Sequence, residues 1–330
     1  MRILVTGAAG MLGRKLAARL AQEGAIAGQG IESLRLVDSV PPPTPAGRRA
    51  ATSAETVDLA RPDAAARLIA DRPDLVFHLA AVVSGEAESD FERGYAANLE
   101  ASRALFEAIR RERDSGGGAY RPRLVFASSI AVYGGPYPET IDDEFAVAPQ
   151  TSYGTQKAIA ELLIADYSRR ELFDGVALRL PTICVRPGPP NRAASGFFSA
   201  IIREPLAGRE ANLPAPDTTC NWCASPRAAI GFFIHAASLD LARLGRRRSL
   251  TMPGVSATVA EEIEALRRIA GDAAVGLIRR RTDESTASIV ASWPGHFDAR
   301  RAAALGFVAE KNFDEIIRVY LEDDHGAAVA

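Results

Sequence analysis

Cysteine is scarce: the chain has three in 330 residues, Cys184, Cys220 and Cys223. An odd, small number in a chain of this length builds no disulfide framework. Cys220 and Cys223 have C-x-x-C spacing, but zinc would need two further ligands. No second C-x-x-C exists and the four histidines are scattered, so packing or pocket lining is expected and no metal site is. An excess of either charge is also missing. Lys and Arg number 39 against 41 Asp and Glu, a net charge of -2, which gives no global field to gather nucleic acid or an anionic membrane. The basic cluster Arg246-Arg247-Arg248 reads as a solvated helix end or loop. No run reaches the roughly 18–20 apolar residues that span a bilayer. The apolar start at residues 1–5 breaks at Thr6-Gly7, and Arg14, Lys15 and Arg19 follow, which is not the pattern of a secretory signal. The chain therefore reads as cytoplasmic, with neither nucleic acid nor membrane as a partner, and it shows no internal repeat.

What is present is a hydrophobic fraction of 47%, ample for a core. The length suggests two domains, or one domain with an elaborated lobe. Residues 2–6 are a short branched apolar run closed by glycine, the mark of a buried parallel strand. Residues 11–23 carry Leu12, Leu16 and Leu20 at helical spacing. Strands are expected at 34–37, 75–79, 124–127 and 176–180, and helices at 98–111 and 152–169. That alternation predicts an α/β fold, a Rossmann-type doubly wound parallel sheet. The pattern weakens after residue 182 and becomes helix-rich from 259. The expected division is a nucleotide-binding domain at 1–182 and 224–251, and a smaller, helix-rich substrate lobe at 183–223 and 252–330.

The first strand runs into Thr6-Gly7-Ala8-Ala9-Gly10-Met11-Leu12-Gly13, and a helix follows. A tight turn needs glycine, and a pyrophosphate needs close backbone approach and a helix N-terminus with free N–H groups. Gly7, Gly10, Met11, Leu12 and Gly13 are thus candidate dinucleotide contacts. Asp38 closes the second strand, where a carboxylate accepts ribose hydroxyls and repels a 2′-phosphate. Ser39 and Val40 follow it rather than a cation, which favours NAD over NADP. Asp58 and Leu59 are candidates to border the adenine.

Tyr153 and Lys157 stand four apart in an expected helix, on one face and one turn apart. An ammonium beside a phenol favours the phenolate over its usual pKa of about 10 and lets tyrosine act as a general base or acid. The pair follows Ser128-Ser129 in a chain that opens with a dinucleotide turn.

With those pieces in order, the sequence resembles the extended short-chain dehydrogenases/reductases, the group that includes nucleotide-sugar epimerases and dehydratases. The resemblance rests on the Thr6–Gly13 turn, Asp38, His78-Leu79-Ala80-Ala81, Asn98, Ser128-Ser129-Ile130-Ala131-Val132-Tyr133-Gly134, Tyr153 with Lys157, Leu178-Arg179, and Phe297-Asp298 through Leu305-Gly306-Phe307. It implies Tyr153 as catalytic acid/base and Lys157 as holder of the nicotinamide ribose. It also implies Ser129 as hydrogen-bond partner of the reacting oxygen. Leu79, Ala80, Ala81, Asn98, Ser128 and Pro181, with Thr182 beside it, would lie near the cofactor. His78 reads as structural and Tyr133 as a packed aromatic. A homodimer through the helices holding Asn98 and Tyr153 is a further implication of the resemblance.

The chain departs from the epimerase pattern at residues 220–227, Cys-Asn-Trp-Cys-Ala-Ser-Pro-Arg. Nucleotide-sugar epimerases usually carry an Arg-Asp-aromatic-Ile/Val-His segment there that helps clamp the sugar nucleotide; here Cys220 replaces the arginine and Ala224 the histidine. This stretch, together with residues 80–86, resembles the D-erythronate dehydrogenases, short-chain enzymes that oxidise a four-carbon sugar acid at C2. A small sugar acid as partner would need an arginine for its carboxylate, since the guanidinium fork matches a carboxylate bidentately. Arg186, Arg192 and Arg227 are the candidates, with Ser84, Asn191 and the 220–223 loop for hydroxyls. Two alternatives stay open: a nucleotide-sugar epimerase or dehydratase with tightly held NAD, and a non-catalytic NAD-sensing protein.

Overall fold

A computed structural model describes residues 1–46, 50–188, 194–291 and 293–326, and leaves aside the side chain of Ser285. The chain forms two compact units: residues 1–129, 151–179 and 230–250, and residues 130–150, 180–229 and 251–330.

The first unit is built on a seven-stranded sheet. Its strands are β1 (Arg2–Thr6), β2 (Ser33–Asp38), β3 (Ala51–Thr56), β4 (Leu75–His78), β5 (Arg123–Ser129), β6 (Asp174–Leu180) and Ser249–Thr251. They lie in the order Ser249–Thr251, β6, β5, β4, β1, β2, β3. Strand β1 pairs in parallel with β2 on one side and β4 on the other, so that Thr6 faces both Val37 and His78. The chain order reverses at β1, and the crevice beyond the carboxyl ends at such a reversal is where open α/β sheets bind ligands.

Four helices matter for the site: α1 (Met11–Glu23), α2 (Ala64–Ile69), α3 (Ala101–Ser115) and α4 (Ser152–Arg169). Leu16 and Leu20 of the apolar stripe in α1 are buried, and the helix stops at Gly24, whose φ of 68° supplies the left-handed cap. Leu68, Leu105, Phe106, Ile109 and Ile164 from α2, α3 and α4 meet Val76, Leu124 and Phe126 of the sheet in one core cluster. Burying each such side chain is worth roughly 1.5–3 kcal/mol. The edge strand β3 is a strand the apolar pattern does not announce. Its sequence, ATSAET, is mostly exposed, and it is held by its ladder to β2 and by Glu55 pairing with Arg35 and Arg67.

The second unit contains a three-stranded sheet in the order Val255–Thr258, Cys220–Ala224, Thr182–Ile183. The central strand runs antiparallel to the first and parallel to the last. A capping box of Thr258 and Glu261 starts the helix Val259–Val275. Phe198, Ile201, Ile202, Leu266, Ile316 and Tyr320 form part of its core. Residues 130–150 belong to this unit, although the βαβ rhythm assigns them to the first. The physical reason is Tyr133: its ring lies 5.6 Å from Phe297 and its hydroxyl 2.7 Å from Thr251 Oγ1. Residues 180–182, 224–229 and Thr251 also go with the second unit. Among the described residues no helix is long and apolar enough to cross a membrane.

Candidate active site

The glycine turn follows β1 without a break. Gly7 has φ of 75°, and a Cβ there would lie 2.6 Å from the backbone of Leu79 and Ala80. A Cβ on Gly13 would lie 2.1 Å from the Gly7 carbonyl oxygen. The turn is thus pressed against the residues that leave β4, and α1 against the turn, approaches that glycine permits. Gly10 caps α1 without a side-chain hydrogen bond, and the first turn carries no acidic residue. Its N–H groups and positive dipole end are what an anion requires. Asp38 ends β2 beside this turn and accepts the Ala9 N–H through Oδ2 at 2.9 Å. Asp58 holds its own turn by accepting from Ala60 N, and Leu59 is buried. These features fit a dinucleotide: a cradle that a Cβ would fill, an uncapped helix N-terminus, and a carboxylate at the end of the second strand.

Behind the turn stands His78, fully buried at the end of β4. Its Nδ1 lies 2.7 Å from Thr6 Oγ1 and its Nε2 2.9 Å from Ser102 Oγ. Ser102 donates to the Asn98 carbonyl, so its hydroxyl accepts from His78 Nε2–H. Burial, reinforced by the nearby Lys157 charge, pushes the imidazole down to about 3. The ring is therefore a neutral bracket between β1, β4 and α3. Asn98 lies in a wider, π-helical turn, Tyr95–Glu100, just before α3. Its Oδ1 accepts Val82 N at 2.8 Å, and its Nδ2 donates to Gln156 Oε1 at 2.7 Å. It ties the loop after β4 to α4.

Helix α4 brings the catalytic candidates together. Thr151 caps it by accepting Gly154 N, and Ser152 N donates to Glu88. Tyr153 therefore sits in the first turn, half-buried, and Lys157 lies one turn further in, 2% exposed. Lys157 Nζ donates to the Ala127 carbonyl at 2.8 Å and lies 4.6 Å from the Phe126 ring centre and 5.6 Å from that of Tyr153. Burial pushes the ammonium down to about 7, and the Glu161 carboxylate opposes that fall. Ser129, half-buried, is the last residue of β5, directly after Ser128. Two participants are not evident from the motifs alone. Glu161, one turn beyond Lys157, accepts from Ser128 Oγ at 2.5 Å and from Arg179 through three contacts of 2.7–3.1 Å. Its i+4 spacing from Lys157 is the sequence signal. Gln156 is wholly buried and its Nε2 meets no acceptor among the described residues.

Of the other predicted residues, Leu79, Ala80 and Ala81 lead out of β4, and Ser84 opens the short helix Ser84–Ser89. Pro181 and Thr182 lie in the second unit, where Thr182 pairs with Cys223. Arg227 is engaged by Glu322 and Asp323. Arg186 donates to Ser195 Oγ at 2.6 Å and to the Ile183 carbonyl at 2.9 Å. Asn191 and Arg192 lie outside the described residues. The C-x-x-C spacing falls on a strand, where alternate residues face opposite ways. Cys220 approaches Ser256 and His296, Cys223 turns to Glu262, and all three cysteines are free thiols.

The model of the NAD dependent epimerase/dehydratase family matches residues 3–219. The chain is 47% identical over 327 residues to the D-erythronate dehydrogenase of Cupriavidus necator, covering 98% of each chain. It is 41% identical to the D-erythronate dehydrogenase of Haemophilus influenzae, covering 98% of this chain and all of that one. A crystal structure described as the nucleoside-diphosphate-sugar epimerase from Agrobacterium tumefaciens is 54% identical, with a TM-score of 0.96, covering 100% of this chain and 96% of that one.

Proposed function

The chain belongs to the NAD dependent epimerase/dehydratase family, and from that membership we propose that it oxidises a small sugar acid, D-erythronate, at its C2 secondary alcohol with NAD as acceptor. The observation that carries this reading is the end-to-end similarity to two D-erythronate dehydrogenases.

The geometry of the first unit supports the following roles. The uncapped N-terminus of α1 and the glycine turn would hold the pyrophosphate, and Asp38 would hold the adenosine ribose. When bound, NAD takes up the hydride. Tyr153, as phenolate, removes the proton of the alcohol, and the Ser129 hydroxyl hydrogen-bonds the same oxygen as it becomes a carbonyl. Lys157, anchored on the Ala127 carbonyl, supplies the positive charge that favours the phenolate.

An epimerase would use the same residues on a sugar nucleotide, the reading suggested by the description of the Agrobacterium structure. Cys220 argues against it. The groups around this position are Ser256 Oγ, the Gly295 carbonyl and His296 Nε2, and a thiol there supplies no guanidinium for a diphosphate. For the carboxylate of the sugar acid, Arg227 is already neutralised by two carboxylates. Arg186 and Arg192 therefore become the arginines to test. Removing a charged hydrogen-bond partner costs roughly 1.5–3 kcal/mol, about a tenfold to hundredfold loss in kcat/KM. The deciding experiment follows NADH absorbance with D-erythronate and, separately, UDP-glucose. NADH formed from the acid, reduced on that scale by Ala at Arg186 or Arg192, is expected. Tight UDP-glucose binding with no NADH from any aldonic acid would return the protein to the epimerases.

A further inference from the structure

Two consecutive residues of β5 are latched to α4 by two side chains one turn apart. Lys157 Nζ takes the carbonyl of Ala127, and Glu161 takes the hydroxyl of Ser128. The next residue is Ser129. From this geometry we infer that Glu161 is a positioning residue of the reaction: with Arg179 behind it, it fixes β5 against α4 beside Ser129 and sustains the charge of Lys157. The inference rests on the roles given above to Tyr153, Lys157 and Ser129.

Three observations support it. The first is burial. Glu161 is 4% exposed and Arg179 9%, yet the pair is closed by a guanidinium contact of 2.7 Å and two Nε contacts. A buried pair of this kind is often no more stabilising than apolar residues of the same size, so stability alone is a weak reason for its presence. The second is the asymmetry of the pair. Arg179 contacts both carboxylate oxygens, and Oε1 also accepts from Ser128, a residue of the strand that carries Ser129. The third is the set of charges around Lys157. Tyr153 and Glu161 flank it on α4, β5 offers the Ala127 carbonyl and the Phe126 ring, and β4 brings the neutral His78. Arg179 on β6 pairs with Glu161. Among the described residues, Glu161 is the anion that counters the desolvation of the ammonium.

The sign follows. Loss of the Glu161 charge lets Lys157 release its proton at lower pH. An alkaline limb of kcat/KM that reports Lys157 then moves toward acid.

The test uses E161Q, E161D and the double variant E161M/R179M, with E161Q alone risking a fold defect from the orphaned Arg179. The double variant removes both charges and fills the space with apolar side chains. Each is measured for cooperative melting, NAD affinity by calorimetry, and kcat/KM against pH. The expected result is folded double-variant and E161Q proteins with NAD affinity within about threefold of wild type. Their alkaline limb moves toward acid by about one pH unit in E161Q and at least about half a unit in the double variant. E161D restores most of the profile. A folded double variant whose profile superimposes on wild type would overturn the inference, as would failure of both variants to fold, since the pair would then be structural. Full turnover in Tyr153→Phe would instead remove the catalytic reading beneath it, a distinct outcome.

Discussion

The carboxylate of Asp38 accepts the backbone N–H of Ala9 at 2.9 Å, so the residue that ends β2 also braces the glycine turn. One side chain thus has two separable duties. Asp38→Asn keeps an acceptor for Ala9 and discards the charge. Wild type should show a higher kcat/KM with NAD than with NADP. The asparagine variant should lose about tenfold to hundredfold of that preference, the scale of one charged hydrogen bond. A wild-type enzyme faster with NADP would show that this carboxylate does not serve the ribose.

Tyr153→Phe removes only the phenol oxygen from the first turn of α4. Turnover should fall by roughly 10²–10⁴, the usual worth of a positioned general base, with NAD binding retained. Stopped-flow turnover and calorimetric NAD titration check the two halves. A variant within a few-fold of wild type would place the proton transfer elsewhere.

The glycines of the turn are not equivalent. A Cβ on Gly13 or Gly7 meets backbone at 2.1 and 2.6 Å, whereas one on Gly10 meets the Gly7 carbonyl oxygen at 3.3 Å. Gly7 adds a positive φ to the steric conflict. Alanine at 13 or 7 should cost about 1–3 kcal/mol in stability, the scale of overpacking, and weaken NAD binding sharply. Alanine at 10 should cost clearly less. Equal melting temperatures for the three variants would show that the turn relaxes freely.

Glu262, in the helix Val259–Val275, is fully buried, and burial raises its carboxyl well above the ordinary range. Its Oε1 accepts the Cys223 thiol at 3.8 Å, and its Oε2 has no partner among the described residues. The folded chain keeps a proton that the unfolded chain releases above about pH 4.3. This group's contribution to stability is therefore whole below that pH and is lost as pH rises toward the folded-state value. The slope is at most about 1.4 kcal/mol per pH unit. Glu262→Gln should flatten the decline in Tm between pH 5 and 8, whatever constant offset it adds. Parallel Tm–pH curves for variant and wild type would contradict this.

The sheet and the site were legible where local chemistry and position in the chain coincide. The Gly7–Gly13 turn, Asp38 and the Tyr153/Lys157 spacing each fall at the carboxyl end of a strand or in the helix after it. Pattern failed where long-range partners decide. Strand β3 is polar and depends on β2 for its ladder. Residues 130–150 follow Tyr133 into the second unit, because its partners lie more than a hundred residues away in Thr251 and Phe297. The partners of Arg227, Glu322 and Asp323, lie about a hundred residues on and do not show in its local sequence. Glu262 sits in an amphipathic helix whose charges would ordinarily face water, and only tertiary packing shows that it is buried.

The alternation of the strand Cys220–Ala224 also gives the protein a built-in chemical handle. Cys184 and Cys223 are shut inside, while Cys220 is partly open to solvent. A maleimide fluorophore or nitroxide applied to the native protein should therefore attach at Cys220 alone. Spectroscopists would have a single-site reporter on the second unit without removing any cysteine.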